Sequence, residues 1–196
     1  MEGRGQTRCR LLKTTEASSL VEFAISLPLL VVLVVGIFDF GGAFNAKQEL
    51  NNGMREGARF AAAQPTNDLG NTGTPASVDA VRVMVDSYLK AERLNDCNLD
   101  SATGIPGGDQ SWTFATTGSC LGTLTLIVSR GFPSCSLLAT GYGTPNPINV
   151  NIPCTRLHIS YPYQWHFNSV IRLVVPGANY GPLLQIQTDA TVPNMN

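Results

Sequence analysis

Residues 18–44, SSLVEFAISLPLLVVLVVGIFDFGGAF, form one apolar run whose only acidic residues are Glu22 and Asp39, near its two ends. As an α-helix, residues 20–44 would be about 35 Å long at 1.5 Å per residue. About 20 mostly apolar residues suffice to span a bilayer, so residues 18–44 are predicted to form a transmembrane helix. A carboxylate in hydrocarbon is costly unless it is paired, which makes Glu22 a candidate assembly residue.

The segment before this run is basic. It carries four basic residues against Glu2 and Glu16, namely Arg4, Arg8, Arg10 and Lys13. The positive-inside rule therefore predicts that the basic leading segment, residues 1–17, is cytoplasmic and that the chain after about residue 45 is external. Two alternatives remain at this point. One is a buried core helix, and the other is a cleaved secretory signal with its cut site at Gly41, Gly42 and Ala43.

The composition predicts one exported domain and no nucleic-acid partner. The chain has 196 residues and a formal net charge of -1, whereas nucleic-acid binding needs a clustered basic surface. Gly, Pro, Asn, Thr and Ser are frequent after residue 64, as is typical of a loop-rich β domain. We therefore predict an exported α+β domain at residues 65–196.

Four of the five cysteines fall in this predicted external part, namely Cys97, Cys120, Cys135 and Cys154, whereas Cys9 falls in the leader. An even set in an oxidising compartment predicts two disulfides, with three possible connectivities. Buried free thiols are the alternative. The cysteines lack the CxxC or CxxH spacing that is typical of a metal site, so no metal and no cofactor are predicted.

The helical pattern continues beyond the membrane segment. Small and apolar residues recur there at steps of three and four, namely Ala43, Ala46, Leu50, Met54, Ala58 and Ala61. The first helix is therefore predicted over residues 20–63, with residues 45–64 as its extramembrane continuation. Pro28, Gly36, Gly41 and Gly42 are positions where it could kink.

A second helix is predicted over residues 76–94, with Thr74 as N-cap and Pro75 at the first position. Its apolar face contains Val78, Val81, Val85, Tyr88 and Leu89. From Trp112 onward the apolar period becomes two, which predicts three or four antiparallel strands. These include Leu124, Leu126 and Val128, then Leu157, Ile159 and Tyr161, then Leu184, Ile186 and Thr188. The fold class is thus α+β, with the outer half of the first helix covering a small sheet.

The sequence contains no motif typical of an enzyme, so we expect the protein to have no catalytic activity. His158 and His166 lie outside any GxSxG or HExxH pattern. The glycine-rich residues 105–109 lack the Lys-Ser/Thr of a phosphate loop and are predicted to form a turn. Four aromatic residues either form a surface for carbohydrate or another subunit, or pack in the strands. They are Trp112, Tyr161, Tyr163 and Trp165.

Three blocks in order, SLVEFAISLPLL, GIFDFGGAF and MREGARFAAA, resemble the TadE-like (TadE/TadG) pseudopilins of the tight-adherence, or Flp, pilus system. The family motif falls on Arg55, Glu56, Gly57 and Arg59. The exported part is similar only loosely, through LHISYPYQW and a terminal strand. The resemblance implies a pilin-like domain and a minor pseudopilin or pilus-assembly component in a bacterial inner membrane.

The resemblance also implies processing. A prepilin-type peptidase would cut between Ala17 and Ser18, which leaves Glu22 as the fifth mature residue; Ala17 stands where the family usually has glycine. The partners implied are other pilins or pseudopilins, the assembly machinery and membrane lipid, with Glu22 pairing the terminal amine of a neighbouring subunit. Asp39 is expected to be solvated at the outer interface, with a subunit contact as the alternative. An alternative function is a membrane-anchored extracytoplasmic binding module that never enters a filament.

Overall fold

The computed structural model describes residues 14–70, 73–139, 148–165, 177 and 183–194. The first element, helix α1 (Thr14–Ala63), is 50 residues long and continues through Pro28 without a break. Its predicted end is confirmed, and its start lies earlier than the predicted residue 20. Most of the leader, residues 1–13, lies outside the described residues.

Helix α2 (Ala76–Ala91) follows, and its N-terminus differs from the prediction. Pro75 is the N-cap, whereas the Thr74 hydroxyl donates to the Gly104 carbonyl at 2.9 Å. Asp68 satisfies the helix end instead, because its carboxylate accepts the Ser77 backbone N–H and the Ser77 hydroxyl, both at 2.8 Å. Burial raises the pKa of Asp68, but these hydrogen bonds outweigh it and the net pKa is lowered.

Helix α2 also ends earlier than the predicted residue 94. Arg93 adopts a left-handed backbone with φ of 59°. The Leu94 N–H then donates to the Leu89 carbonyl at 2.9 Å and the Arg93 N–H to the Lys90 carbonyl at 3.2 Å, the two hydrogen bonds of a Schellman motif. The residue in the left-handed position is an arginine, whereas a glycine there is the usual sequence mark of a helix C-terminus. The sequence therefore did not predict that the helix ends here.

A short 3-10 helix (Leu99–Ser101) leads into a five-stranded sheet. Its strands are β1 (Gly104–Pro106), β2 (Ser111–Thr116), β3 (Leu124–Ala139), β4 (Ile148–Gln164) and β5 (Leu183–Pro193). They lie in the order β1-β2-β3-β4-β5, and every neighbouring pair is antiparallel. The α+β class is confirmed, and the described sheet has one strand more than the predicted maximum. The extra strand is β1, which the prediction had assigned partly to a turn.

One face of the sheet is covered by α1, as predicted. The six α1 residues of the predicted stripe are all at most 7% exposed, namely Ala43, Ala46, Leu50, Met54, Ala58 and Ala61. They share one buried core with the inward residues of β3 and β4, namely Leu124, Leu126, Val128, Leu157 and Ile159. Within this core α1 lies over β4 and β5, while α2 faces β3. Trp112, Tyr161 and Tyr163 are also buried there, so these aromatic residues belong to the core.

A disulfide joins Cys97, just before the 3-10 helix, to Cys120 in the β2–β3 connection, with the two Cα atoms 5.1 Å apart. This pair occurs in only one of the three connectivities that the sequence left open. Cys154 is also disulfide-bonded, while the side chain of Cys135 lies outside the described residues. The disulfide therefore ties the region after α2 to the β2–β3 connection.

We predict that the double variant Cys97→Ala/Cys120→Ala loses about 3 kcal/mol of unfolding free energy, because the bridge closes a loop of sequence separation 23. Urea unfolding of the detergent-solubilised full chain, followed by circular dichroism, measures the loss. Thr117→Ala, at an exposed position in the same β2–β3 connection, is the matched control and should leave stability unchanged. Equal midpoints for the double variant and the control would contradict a stabilising role for this disulfide.

Candidate assembly surface on the long helix

The first half of α1 carries the first predicted site residue, Glu22, on a part of the helix that no described element covers. The Glu22 side chain is exposed and accepts a hydrogen bond of 3.3 Å from the Ser18 hydroxyl, one helical turn earlier. Its neighbours are apolar and more than half exposed, namely Leu20, Val21, Phe23 and Ile25. Glu22 is therefore the one charged group on this stretch of helix surface, with Ser18 and Ser26 one turn away on the same face. The predicted cleavage point, between Ala17 and Ser18, lies close to the start of the same helix.

This helix is long and apolar enough to cross a membrane. The candidate span lies in Ser18–Ala63 with a mean hydropathy of 2.6 in its most apolar window, and none of that window is buried by the fold. A core helix of a soluble domain would be covered, so the buried-helix alternative does not fit. The described chain therefore has one N-terminal helix suited to a single-pass membrane anchor.

The sheet domain begins to cover α1 at Asp39, which is only 4% exposed. The expectation that Asp39 is solvated at the outer interface is therefore wrong. Tyr163, near the end of β4, lies close by: burial raises its pKa, and the negative charge of Asp39 raises it further. Asp39 thus belongs to the junction between the helix and the sheet.

A glycine permits this close approach. A Cβ atom added at Gly42 would lie 2.6 Å from the Tyr163 hydroxyl oxygen, whereas one added at Gly41 would meet nothing within 4 Å. Both were predicted as positions for a kink. The structure gives them different environments, because only Gly42 faces the sheet.

Aromatic rings surround this junction. The Phe40 and Trp165 ring centroids are 5.6 Å apart, and those of Tyr163 and Trp165 are 5.8 Å apart, both in edge-to-face arrangements. Phe40 and Phe44 remain about 70% exposed on the outer side of α1. Aromatic side chains of this kind favour the boundary between hydrocarbon and water.

The motif at residues 55–59 divides between two faces of α1. Gly57 is buried, and an added Cβ would lie 2.9 Å from the Leu157 Cδ2 atom, so this glycine allows α1 to approach β4. Arg55, Glu56 and Arg59 are exposed on the opposite side. Within the described residues no carboxylate or basic group lies in ion-pairing range of these three, so the possible i, i+4 pair is not formed.

Residues 17–59 match the model of a protein family described as TadE-like protein. This segment of the chain is TadE-like. The match begins at the predicted cleavage point and ends at the last arginine of the motif, so it confirms the resemblance predicted from the sequence. No curated protein and no solved structure gives a significant match to the chain.

Two contacts that the sequence did not predict hold the TadE-like segment against β5. The Lys47 ammonium donates to the Gln187 carbonyl, and the Thr188 hydroxyl donates to the Asn51 side chain. Lys47 and Asn51 are one turn apart on α1, and Gln187 and Thr188 are adjacent in β5. A polar residue on a helix looks the same in the sequence whether its side chain contacts a sheet or faces solvent, so these two contacts could not be predicted.

Arg130 is a further residue that the sequence did not single out. Arg130 belongs to β3 and is 1% exposed. Its guanidinium donates a hydrogen bond of 2.8 Å to the carbonyl of Gln64, the residue that follows α1. Burial lowers the pKa of Arg130, and the nearby Asp68 carboxylate partly opposes this change. Because α1 has no basic residue in its last turn, the sheet supplies the positive charge that a helix C-terminus favours.

We predict that Gly42→Ala lowers the melting temperature of the solubilised protein by several degrees. The new methyl group must displace Tyr163, and overpacking of this kind costs about 1–3 kcal/mol. Gly41→Ala is the matched control. It should be neutral or stabilising by up to about 1 kcal/mol, because alanine has the higher helix propensity. Equal melting temperatures for both variants would show that the Gly42 contact does not constrain the junction.

Proposed function

We propose that this chain is a minor pseudopilin or pilus-assembly component of a tight-adherence pilus. The family match over residues 17–59 supports an association with this pilus system. In the proposal, α1 anchors the chain in the bacterial inner membrane, and the domain at residues 65–196 is periplasmic or extracellular. The basic leader supports this orientation, because positive residues are retained in the cytoplasm. The Cys97–Cys120 disulfide is consistent with an oxidising compartment for the domain.

The observation that carries the proposal is the exposed carboxylate of Glu22 on an apolar helix. Glu22 lies 17 residues before Asp39, or about 26 Å along a helix with a rise of 1.5 Å per residue. If the domain rests on one surface of the bilayer, Glu22 lies within the hydrocarbon near the other surface, since this layer is about 30 Å thick. An intramembrane carboxylate needs a partner.

A neighbouring subunit can supply that partner. Removal of the leader between Ala17 and Ser18 by a prepilin-type peptidase would create an ammonium group at Ser18. This amine on one subunit would pair with Glu22 on the next. Leaving either charge unpaired in lipid is unfavourable, so the pair would favour docking of one apolar helix beside another. The exposed face of α1 provides the remaining contact area.

In this proposal the protein acts by association and does not catalyse a reaction. A membrane-anchored binding module has less support. Trp112, Tyr161 and Tyr163, which could have formed a glycan-binding aromatic surface, are each at most 6% exposed. His158 is half-buried in β4, and His166 lies outside the described residues.

The first prediction of this proposal concerns the leader. We expect the mature protein, extracted from membranes of cells with the pilus system, to begin at Ser18. Intact mass spectrometry with N-terminal sequencing measures this start. Cells that lack the prepilin-type peptidase are the control and should retain Met1. A start after Ala43 would indicate a secreted protein and would overturn the helix-packing mechanism.

The second prediction concerns Glu22. We expect Glu22→Gln to remain in the membrane but to lose association with other pilus components, because removing one partner of a buried ion pair costs about 3–5 kcal/mol. This corresponds to a loss of at least 100-fold in association. Copurification of pilus components after crosslinking measures it, and carbonate extraction reports insertion.

Ile25→Leu is the matched control for Glu22→Gln. It replaces an exposed side chain on the same stretch of α1 by one of the same volume, so it keeps the Glu22 charge and the apolar contact area and should retain copurification. If Glu22→Gln copurifies with the same components as the wild type, the proposed role of Glu22 is wrong and the binding-module function becomes the better one.

A further inference from the structure

An apolar groove lies between α1 and β5, at the level where the exported domain begins to cover the helix. Its volume is about 290 Å³, and its walls include Phe40, Phe44 and Ala43 from α1 and Leu184 and Ile186 from β5. Trp165 closes one side of the groove and contacts Phe40 edge to face. Below Phe40, toward the predicted membrane, the α1 surface continues as exposed apolar residues such as Ile37 and Leu33. The groove is thus continuous with the surface that would face lipid.

Among the described residues that line this groove, one is a cation, and it lies at the opposite end. Lys47 lies seven residues after Phe40, about 10 Å farther along α1 at 1.5 Å per residue, on the side away from the predicted membrane. Its ammonium donates to the Gln187 carbonyl. No carboxylate lies within ion-pairing range of Lys47 among the described residues. Because an ammonium has three N–H donors, Lys47 can also donate to an anion.

We propose that this groove binds a phospholipid from the leaflet on the side of the exported domain. The acyl chain would lie along Phe44, Ala43 and Phe40 and continue toward Leu33, while the phosphate would accept a hydrogen bond from Lys47. The groove complements such a ligand: its walls are apolar toward the membrane, where the acyl chain would lie, and Lys47 is cationic toward the water, where the phosphate would lie. Its direction also fits, because acyl chains run from the headgroup toward the bilayer centre.

The distribution of polarity favours a phospholipid as the occupant. The groove walls toward the predicted membrane are apolar, and Lys47 lies at the other end, where a phosphate would supply the counter-charge. A helix of a second copy seated on this groove is the competing outcome that crosslinking would detect. This proposal requires α1 to cross a membrane and does not depend on pilus assembly.

A photocrosslinking experiment on the full chain in membranes tests this inference. p-Benzoylphenylalanine replaces Phe44, which is 68% exposed at the groove, and the protein is reconstituted in vesicles of phosphatidylglycerol and phosphatidylethanolamine. After irradiation, intact mass spectrometry should show a phospholipid adduct on the monomer. We expect Lys47→Gln to lower the adduct yield at least fivefold and Lys47→Arg to retain it. Leu184→Glu, which places a carboxylate on the groove wall, should lower the yield as well.

The matched control places the same photoreactive residue at Phe38, which is 67% exposed and does not line the groove. Its adduct reports contact with bulk lipid and should not change with Lys47→Gln. Formation of the Cys97–Cys120 disulfide in each variant verifies the fold. Equal adduct yields at position 44 in the wild type and Lys47→Gln would overturn the proposal. So would crosslinks from position 44 to a second copy or another protein in place of lipid.

Discussion

The structure depends on the packing of the outer half of α1 against the sheet. The same helix that could cross a membrane supplies one wall of the core of the sheet domain, through Leu50, Met54 and four alanines, namely Ala43, Ala46, Ala58 and Ala61. Without α1, the inward faces of β4 and β5 would expose Leu157, Ile159 and Ile186 to water. Burial of this apolar surface is the main term that favours folding. One continuous helix therefore joins the apolar N-terminal segment to the sheet domain.

The close distance between helix and sheet requires small side chains on α1. Alanine occupies most of the buried stripe, and glycine occurs where a neighbouring side chain comes closest, as at Gly42 beside Tyr163 and Gly57 beside Leu157. At Gly53 an added Cβ would lie 2.6 Å from a ring carbon of Tyr88 in α2. Protein interiors are close-packed, so a methyl group at such a position displaces its neighbour. This gives the glycine of the TadE-like motif a structural reason.

Charged groups divide between the interior and the surface of the protein. Arg130 and Asp39 are both buried at the two ends of the helix–sheet interface, whereas Arg55, Glu56 and Arg59 are all exposed on the far side of α1. Glu22 is exposed as well, but on an apolar surface. Burial of a charge is costly unless the surrounding groups compensate for it. The buried charges therefore define the interface within one chain, and the exposed ones remain available for contacts with other molecules.

The sequence by itself determined the long helix, its buried stripe, the α+β class and the TadE-like resemblance. All of these depend on local patterns: an apolar run, a period of three to four that becomes two, and short motifs. Only the tertiary structure decided the choice of Cys120 as the partner of Cys97, the burial of Asp39 beside Tyr163, the capping of α2 by Asp68 and the placement of Arg130 at the end of α1. These features pair residues that are distant in the chain, and a local pattern contains no information on which distant group a side chain will meet.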